Sequence, residues 1–131
     1  IYVGHVGDSR LYLYRNREVK RLTKDHSLIQ DLIDRGFYTE REARGANVRH
    51  VVTRSMGTKS DVDVDTAEVP LLPYDLLLLC SDGLTDMVSE WQIAETINEN
   101  IADLDLAAKK LIALANQNGG KDNISVILMQ T

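Results

Sequence analysis

The sequence predicts an α+β protein with mostly antiparallel sheets. Strand-like segments rich in Ile, Val, Leu and Tyr come in groups at the start, middle and end of the chain. Helix-like segments lie between these groups, and three of them open with a Ser or Thr followed three residues later by Gln or Glu. The resulting order of strands, small helices, strands, two helices and a strand is that of an α+β fold with its helices on one face.

The chain opens with three predicted strands. Residues 1–6 and 11–15 are strand-like and are separated by Gly-Asp-Ser-Arg, and residues 18–22 follow a turn at Asn16. Three strands joined by such short connections predict an antiparallel meander.

A polar excursion follows. Ser27 with Gln30 and Thr39 with Glu42 form two capping-box patterns, and Gly36 is expected to end the first of these helices. The segment 27–57 is rich in Arg and short of core residues, so we expect it on the surface.

The remaining part alternates strands with longer helices. Residues 62–69 alternate apolar with acidic residues, whereas 75–81 form an apolar strand expected to be buried on both faces. Ser89 and Gln92 open a helix to about residue 99, residues 104–117 form the next, and 123–129 the last strand.

Composition excludes several classes of function. The 131 residues carry a net charge of −5, which argues against a nucleic-acid binder. The longest apolar run, 76–80, is too short to span a bilayer. Cys80 is the single cysteine, so an internal disulfide is impossible and a reducing compartment such as the cytoplasm is compatible.

Three aspartates occupy turns that contain or follow glycine: Asp8, Asp82 and Asp122. A strand that ends in Asp-Gly places a carboxylate at a sheet edge, where glycine leaves room for a ligand. Clustered carboxylates need a compensating cation, and Mg²⁺ or Mn²⁺ prefer such ligands. The alternative is that each aspartate is simply a turn residue.

Five motifs carry a family resemblance. Gly-Asp-Ser-Arg at 7–10, Ser-Asp-Gly-Leu-Thr-Asp at 81–86 and Lys-Asp-Asn-Ile-Ser at 121–125 resemble, in order and spacing, the later motifs of the metal-dependent serine/threonine protein phosphatases (protein phosphatase 2C, or PPM). Thr-Lys-Asp-His-Ser at 23–27 and Val-Thr-Arg-Ser-Met-Gly at 52–57 resemble the bacterial branch.

The resemblance implies an α/β sandwich of antiparallel sheets flanked by antiparallel helices. It implies hydrolysis of phosphoserine and phosphothreonine in proteins by a water that two Mn²⁺ or Mg²⁺ ions activate. By position, Asp82 and Asp122 resemble ligands of the two core ions and Asp8 a ligand of a third, accessory ion. Residues 27–57 resemble the mobile flap of the bacterial members.

The family's first motifs are absent, since no Asp-Gly-x-Gly-Gly occurs. By resemblance, residues 1–131 cover the C-terminal half of the catalytic domain. The chain is then either a fragment of a longer phosphatase, which we favour, or a naturally truncated relative, and we expect it to be inactive alone. The fragment is expected to expose apolar faces and to self-associate. Phosphorylated proteins, an opposing serine/threonine kinase and the cytoplasm complete the expectation, with no nucleic acid and no membrane as partners.

Other readings remain beside this one. Arg54 is a candidate for binding the substrate phosphate, because its guanidinium suits phosphate, but a solvated arginine in a basic stretch is the simpler alternative. A thiol mechanism at Cys80 is disfavoured, since an acidic turn follows it. The chain could also be a catalytically inactive, regulatory relative, or a different hydrolase with the same sandwich and metals.

Overall fold

The computed structural model describes residues 1–43, 45–46, 48, 51–58 and 60–131. The strands are β1 (Tyr2–His5), β2 (Arg10–Arg15), β3 (Glu18–Arg21), β4 (Asp65–Glu68), β5 (Leu76–Cys80) and β6 (Val126–Gln130). The helices are α1 (Leu28–Asp34), α2 (Glu40–Ala43), α3 (Asp82–Thr85), α4 (Glu90–Glu99) and α5 (Leu104–Gln117). All strand pairs in these ranges are antiparallel, so the predicted α+β class is confirmed. Among the described helices, none is both long and apolar enough to cross a membrane.

The chain divides into two compact units. The first unit comprises Ile1–Asp8 and Lys24–Val69, and the second comprises Ser9–Thr23 and Pro70–Thr131. Each unit has its own sheet: β1 pairs with β4 in the first, and the order is β3-β2-β5-β6 in the second.

The second unit contains a large apolar core. One face of its sheet packs against α4 and α5, because alternate residues of β2 and β5 point to the same side. The largest fully buried apolar side chains of this core are Tyr12, Leu76, Leu78, Leu84, Ile93, Ile97 and Leu111. Burial raises the pKa of Tyr12 to about 12.

The opposite face of this sheet is partly open. Leu77 is buried, but Leu79 is 40% exposed and its cross-strand partner Ile127 is 61% exposed. The prediction that the strand at 75–81 is buried on both faces is therefore wrong at Leu79, which lies beside the edge strand β6.

The predicted meander is also wrong. β2 pairs with β3 as expected, but its other edge is occupied by β5, so β1 has no place beside it. β1 pairs instead with β4, with His5 opposite Asp65. The short connections predicted that β1 would pair with β2. Its actual partner β4 lies 60 residues away along the chain, counted from His5 to Asp65.

The predicted helix caps are present in the structure. Ser27 caps α1 as predicted and accepts from the Gln30 backbone N–H at 3.3 Å, and the Gln30 side-chain amide donates to Asp34. The other two boxes are complete: Thr39 with Glu42 precedes α2, and Ser89 with Gln92 opens α4.

Four residues of the predicted excursion lie outside the described residues: Arg44, Asn47, Arg49 and His50.

Candidate metal centre

Asp82 lies where the central strand β5 gives way to a helix. The sequence predicted a strand that ends in Asp-Gly and no helix here, but Ser81 is the N-cap of the short helix α3, and Asp82 is its first residue. Asp82 is half-buried, while Gly83 and Leu84 behind it are buried. The carboxylate is thus carried on a turn that the hydrophobic core anchors.

Asp122 lies in the loop that leads into β6. Its side chain is exposed, and its Oδ1 accepts a hydrogen bond from the Asn123 backbone N–H at 2.7 Å. Because β5 and β6 are antiparallel neighbours, with Cys80 paired to Val126, the end of β5 and the start of β6 lie at the same edge of the sheet.

Hydrogen bonds from Ser81 connect the two loops. The Ser81 hydroxyl donates to the Asn123 carbonyl and accepts from the Ser125 backbone N–H, each at 3.0 Å. The Ser81 backbone N–H donates to the Ser125 carbonyl at 3.1 Å. The structure therefore brings the two motifs that contain Asp82 and Asp122 together at one end of the sheet.

Gly83 makes this approach possible. A Cβ at this position would overlap the Asn123 carbonyl oxygen and lie 3.0 Å from its carbonyl carbon. Only glycine allows the α3 backbone to come so close to the 122–125 loop.

Asp8 belongs to the first unit. It follows Gly7, which has a φ of +106° and is held by His26 on both sides: the His26 backbone N–H donates to the Gly7 carbonyl at 2.8 Å, and the Gly7 N–H donates to His26 Nδ1 at 3.2 Å. The turn that carries Asp8 is therefore fixed by a buried histidine.

Arg54 has a definite partner. Its side chain is 40% exposed, and its Nη1 donates to Asp65 Oδ1 at 2.8 Å. The guanidinium is thus paired with an acidic residue and remains partly accessible to solvent.

The chemistry of these donors fits a hard divalent ion. Asp82, Asp122 and Asp8 offer carboxylate oxygens, which Mg²⁺ and Mn²⁺ prefer. Within the described part of the chain, no three metal-ligating side chains converge on one point. Asp82 and Asp122 lie in neighbouring loops at one end of the sheet.

The side chains that contact Asp65 were not predicted from the sequence. Asp65 is 52% exposed and accepts hydrogen bonds from His26 and Arg54. The hydrogen bond from His26, followed by that from Arg54, lowers the pKa of Asp65. Its alternating acidic context gave no signal of this role, because the partners lie far away in the sequence.

Two family models match consecutive parts of the chain. The model of stage II sporulation protein E (SpoIIE) matches residues 37–131, and the model of protein phosphatase 2C matches residues 1–31. The first match covers more than half of the chain.

Individual relatives agree with these matches. The chain is 40% identical over 130 residues to the serine/threonine phosphatase stp of Listeria welshimeri, covering 99% of this chain and 51% of that protein. It therefore spans about half the length of the curated relatives it matches.

Solved structures share the fold. The serine/threonine phosphatase of S. agalactiae superposes with a TM-score of 0.92 and 40% identity, over 97% of this chain and 52% of that one. The catalytic domain of the phosphatase PstP, solved in complex with 2 manganese ions, gives a TM-score of 0.76 and 35% identity over 97% and 52% of the two chains. The chain therefore belongs to the bacterial PPM-type (protein phosphatase 2C) family of serine/threonine phosphatases, of which it represents a partial, C-terminal region.

Proposed function

We propose that the protein hydrolyses phosphoserine and phosphothreonine in phosphoproteins, and that this chain supplies part of the metal site. The observation that carries the proposal is the junction of Ser81 and Gly83 with Asn123, which places two family motifs at the same sheet edge. A regulatory relative that only binds is not favoured, since the relatives are named phosphatases and the aspartates of the motifs are present.

In this proposal the three aspartates have two roles. Asp82 and Asp122 hold the core ions, and Asp8 holds an accessory ion in the other unit. Bound Mn²⁺ or Mg²⁺ would acidify a water and neutralise charge on the phosphoryl oxygens. Arg54, oriented by Asp65, contacts the substrate phosphate from the flap-like excursion 27–57. An opposing serine/threonine kinase and a cytoplasmic location complete the proposal.

Removing one carboxylate tests the assignment. In the intact protein, Asp82→Asn and Asp122→Asn should each abolish hydrolysis of a phosphothreonine peptide and weaken Mn²⁺ binding measured by calorimetry. Asp105→Asn is the matched control, because Asp105 is an exposed acidic residue in the first turn of α5. Near-wild-type rates in either site variant would refute the ligand assignment.

The isolated 131-residue chain provides a second test. We expect it to hydrolyse p-nitrophenyl phosphate slowly or not at all in Mn²⁺, because its own residues make only a partial coordination set. Robust turnover by the pure chain would contradict this.

Self-association of the isolated chain is proposed on the exposed face of the larger sheet. Leu79, Ile127 and Met129 lie on that face and are 40%, 61% and 47% exposed. Such apolar exposure beside an edge strand favours pairing between copies. Light scattering on the pure chain should show a mass above 14.7 kDa, and a monomer at high concentration would contradict the proposal.

A further inference from the structure

A polar network around the buried His26 lies in the first unit, in the part of the chain that carries Asp8. His26 is only 6% exposed, and its Nε2 lies 2.9 Å from Asp65 Oδ2. The His5 ring lies next to the His26 ring, with their centroids 4.9 Å apart. The pairing of β1 with β4 brings Asp65 opposite His5 and so beside this histidine pair.

The hydrogen bonds define the tautomer of His26. The Gly7 N–H donates to Nδ1, so that nitrogen is an acceptor and carries no proton. The neutral ring therefore carries its proton on Nε2, which donates to Asp65. Arg54 Nη1 approaches Nε2 at 3.4 Å, but both are donors in this tautomer, so its hydrogen bond goes to Asp65.

His26 links three segments through its backbone and ring. Its backbone N–H and Nδ1 both bind Gly7, which has a left-handed φ immediately before Asp8. Its carbonyl accepts from the Thr53 N–H at 2.8 Å, on the segment that returns from the excursion. Rotation of the ring would break the contact with Gly7 or with Asp65, so each of these bonds holds the other in place.

We propose that His26 is a positioning residue that fixes the Gly7–Asp8 turn for metal binding by Asp8, and that Asp65 holds the His26 ring in the required tautomer. This inference rests on the proposed function, in which Asp8 holds the accessory ion. A carboxylate on a turn that is locked before the ion arrives loses less conformational freedom on binding. Partners that orient ligand residues commonly change metal affinity on the order of 10–100-fold.

Two substitutions divide the role of the imidazole. Asn carries an oxygen at the place of Nδ1, so His26→Asn keeps an acceptor for the Gly7 N–H and loses the bond to Asp65. Gln reaches the place of Nε2, so His26→Gln keeps a donor for Asp65 and loses the bond to Gly7. The two variants are matched controls for each other because both are neutral and polar.

The Mn²⁺ concentration for half-maximal activity of the intact protein is the first measurement. His26→Gln should raise it on the order of 10-fold with little change in kcat at saturating Mn²⁺, whereas His26→Asn should stay within roughly threefold. Equal behaviour of the two variants, or a loss of kcat that saturating Mn²⁺ does not restore, would overturn the proposal. Circular dichroism confirms that both variants fold.

A double-substitution cycle separates this inference from the proposed function. Asp8→Asn should itself raise the Mn²⁺ requirement, and adding His26→Gln should then have no further effect. If Asp8→Asn has no effect, the accessory-ion role of Asp8 fails. If Asp8→Asn has its effect and His26→Gln has none, the positioning role of His26 fails.

The third measurement does not depend on activity. Nitrogen-15 NMR of the metal-free intact protein should show a neutral His26 with its proton on Nε2. The Gly7 amide should exchange its hydrogen slowly, and faster in His26→Gln than in His26→Asn. A proton on Nδ1, or equal exchange in both variants, would overturn the inference.

Discussion

Replacement of Gly83 by alanine tests the geometry on which the proposed metal centre depends. Gly83 is the second residue of α3 and is buried against the 122–125 loop. No left-handed φ is required at this position, so the effect of a Cβ is purely steric. The new Cβ would lie 3.0 Å from the Asn123 carbonyl carbon and closer still to its oxygen.

The distances give the size of the effect. Ordinary carbon contacts lie at roughly 3.5–4.0 Å, so the Asn123 carbonyl carbon must move by about 0.5 Å and its oxygen further. Overpacking of this kind costs about 1–3 kcal/mol. Alanine in place of glycine in a helix gains only about 0.5–1 kcal/mol, so the steric cost wins and Gly83→Ala is destabilised. The displaced loop carries Asp122, and a shift of this size should lower kcat/KM on the order of 10–100-fold.

The assay compares Gly83→Ala with Gly4→Ala in the intact protein. A Cβ at Gly4 meets Val64 Cγ1 at 3.6 Å, an ordinary contact. Gly83→Ala should lower the melting temperature, the Mn²⁺ affinity measured by calorimetry and the rate of phosphopeptide hydrolysis. Gly4→Ala should change all three little. Wild-type Mn²⁺ affinity and activity in Gly83→Ala would refute the reasoning that the close approach of α3 to Asn123 positions Asp122.

Three further predictions concern stability. Arg15 holds the pKa of Asp75 at about 2, well below its ordinary 3.8, through a hydrogen bond of 2.7 Å. Since the folded pKa is lowered, this stabilisation is present above pH 4 and is lost as the pH falls towards 2. In Asp75→Asn, the free energy of unfolding measured by circular dichroism should fall less steeply with decreasing pH between pH 4 and 2 than in the wild type. Ser89→Ala removes the cap of α4 and should cost about 1 kcal/mol in urea unfolding. Leu111→Ala empties a fully buried core position and should cost about 2–5 kcal/mol in the same assay, and a value under 1 kcal/mol would contradict the packing.

The motif around Asp82 shows how far sequence reasoning reached at the candidate site. An apolar run ending in Asp-Gly predicted a carboxylate at a sheet edge, and the structure has Asp82 at that place. The helix α3 was not predicted, because four residues give no periodicity. The contact of Gly83 with Asn123 was also beyond sequence reasoning, since the two residues are 40 positions apart and belong to different elements.

In the first unit, the contacts that the sequence did not predict depend on strand pairing. Its strand β1 was predicted correctly in position but not in partner. The pairing with β4 places Asp65 beside His26, 39 residues away in the sequence, and creates the network that holds Gly7. Nothing in the local sequence of His26 indicated which group would meet each ring nitrogen.

The sequence by itself determined the fold class, the positions of most helices and strands, two complete capping boxes and the motifs that carry Asp8, Asp82 and Asp122. These are local properties, set by side-chain periodicity, capping hydrogen bonds and turn residues. Only the tertiary structure decided that β1 pairs with β4, that Ser81 connects to Asn123 and Ser125, and that Asp65 lies within hydrogen-bond distance of His26. The reason is that a local pattern defines which face of a segment is buried, whereas its partner depends on how the rest of the chain packs.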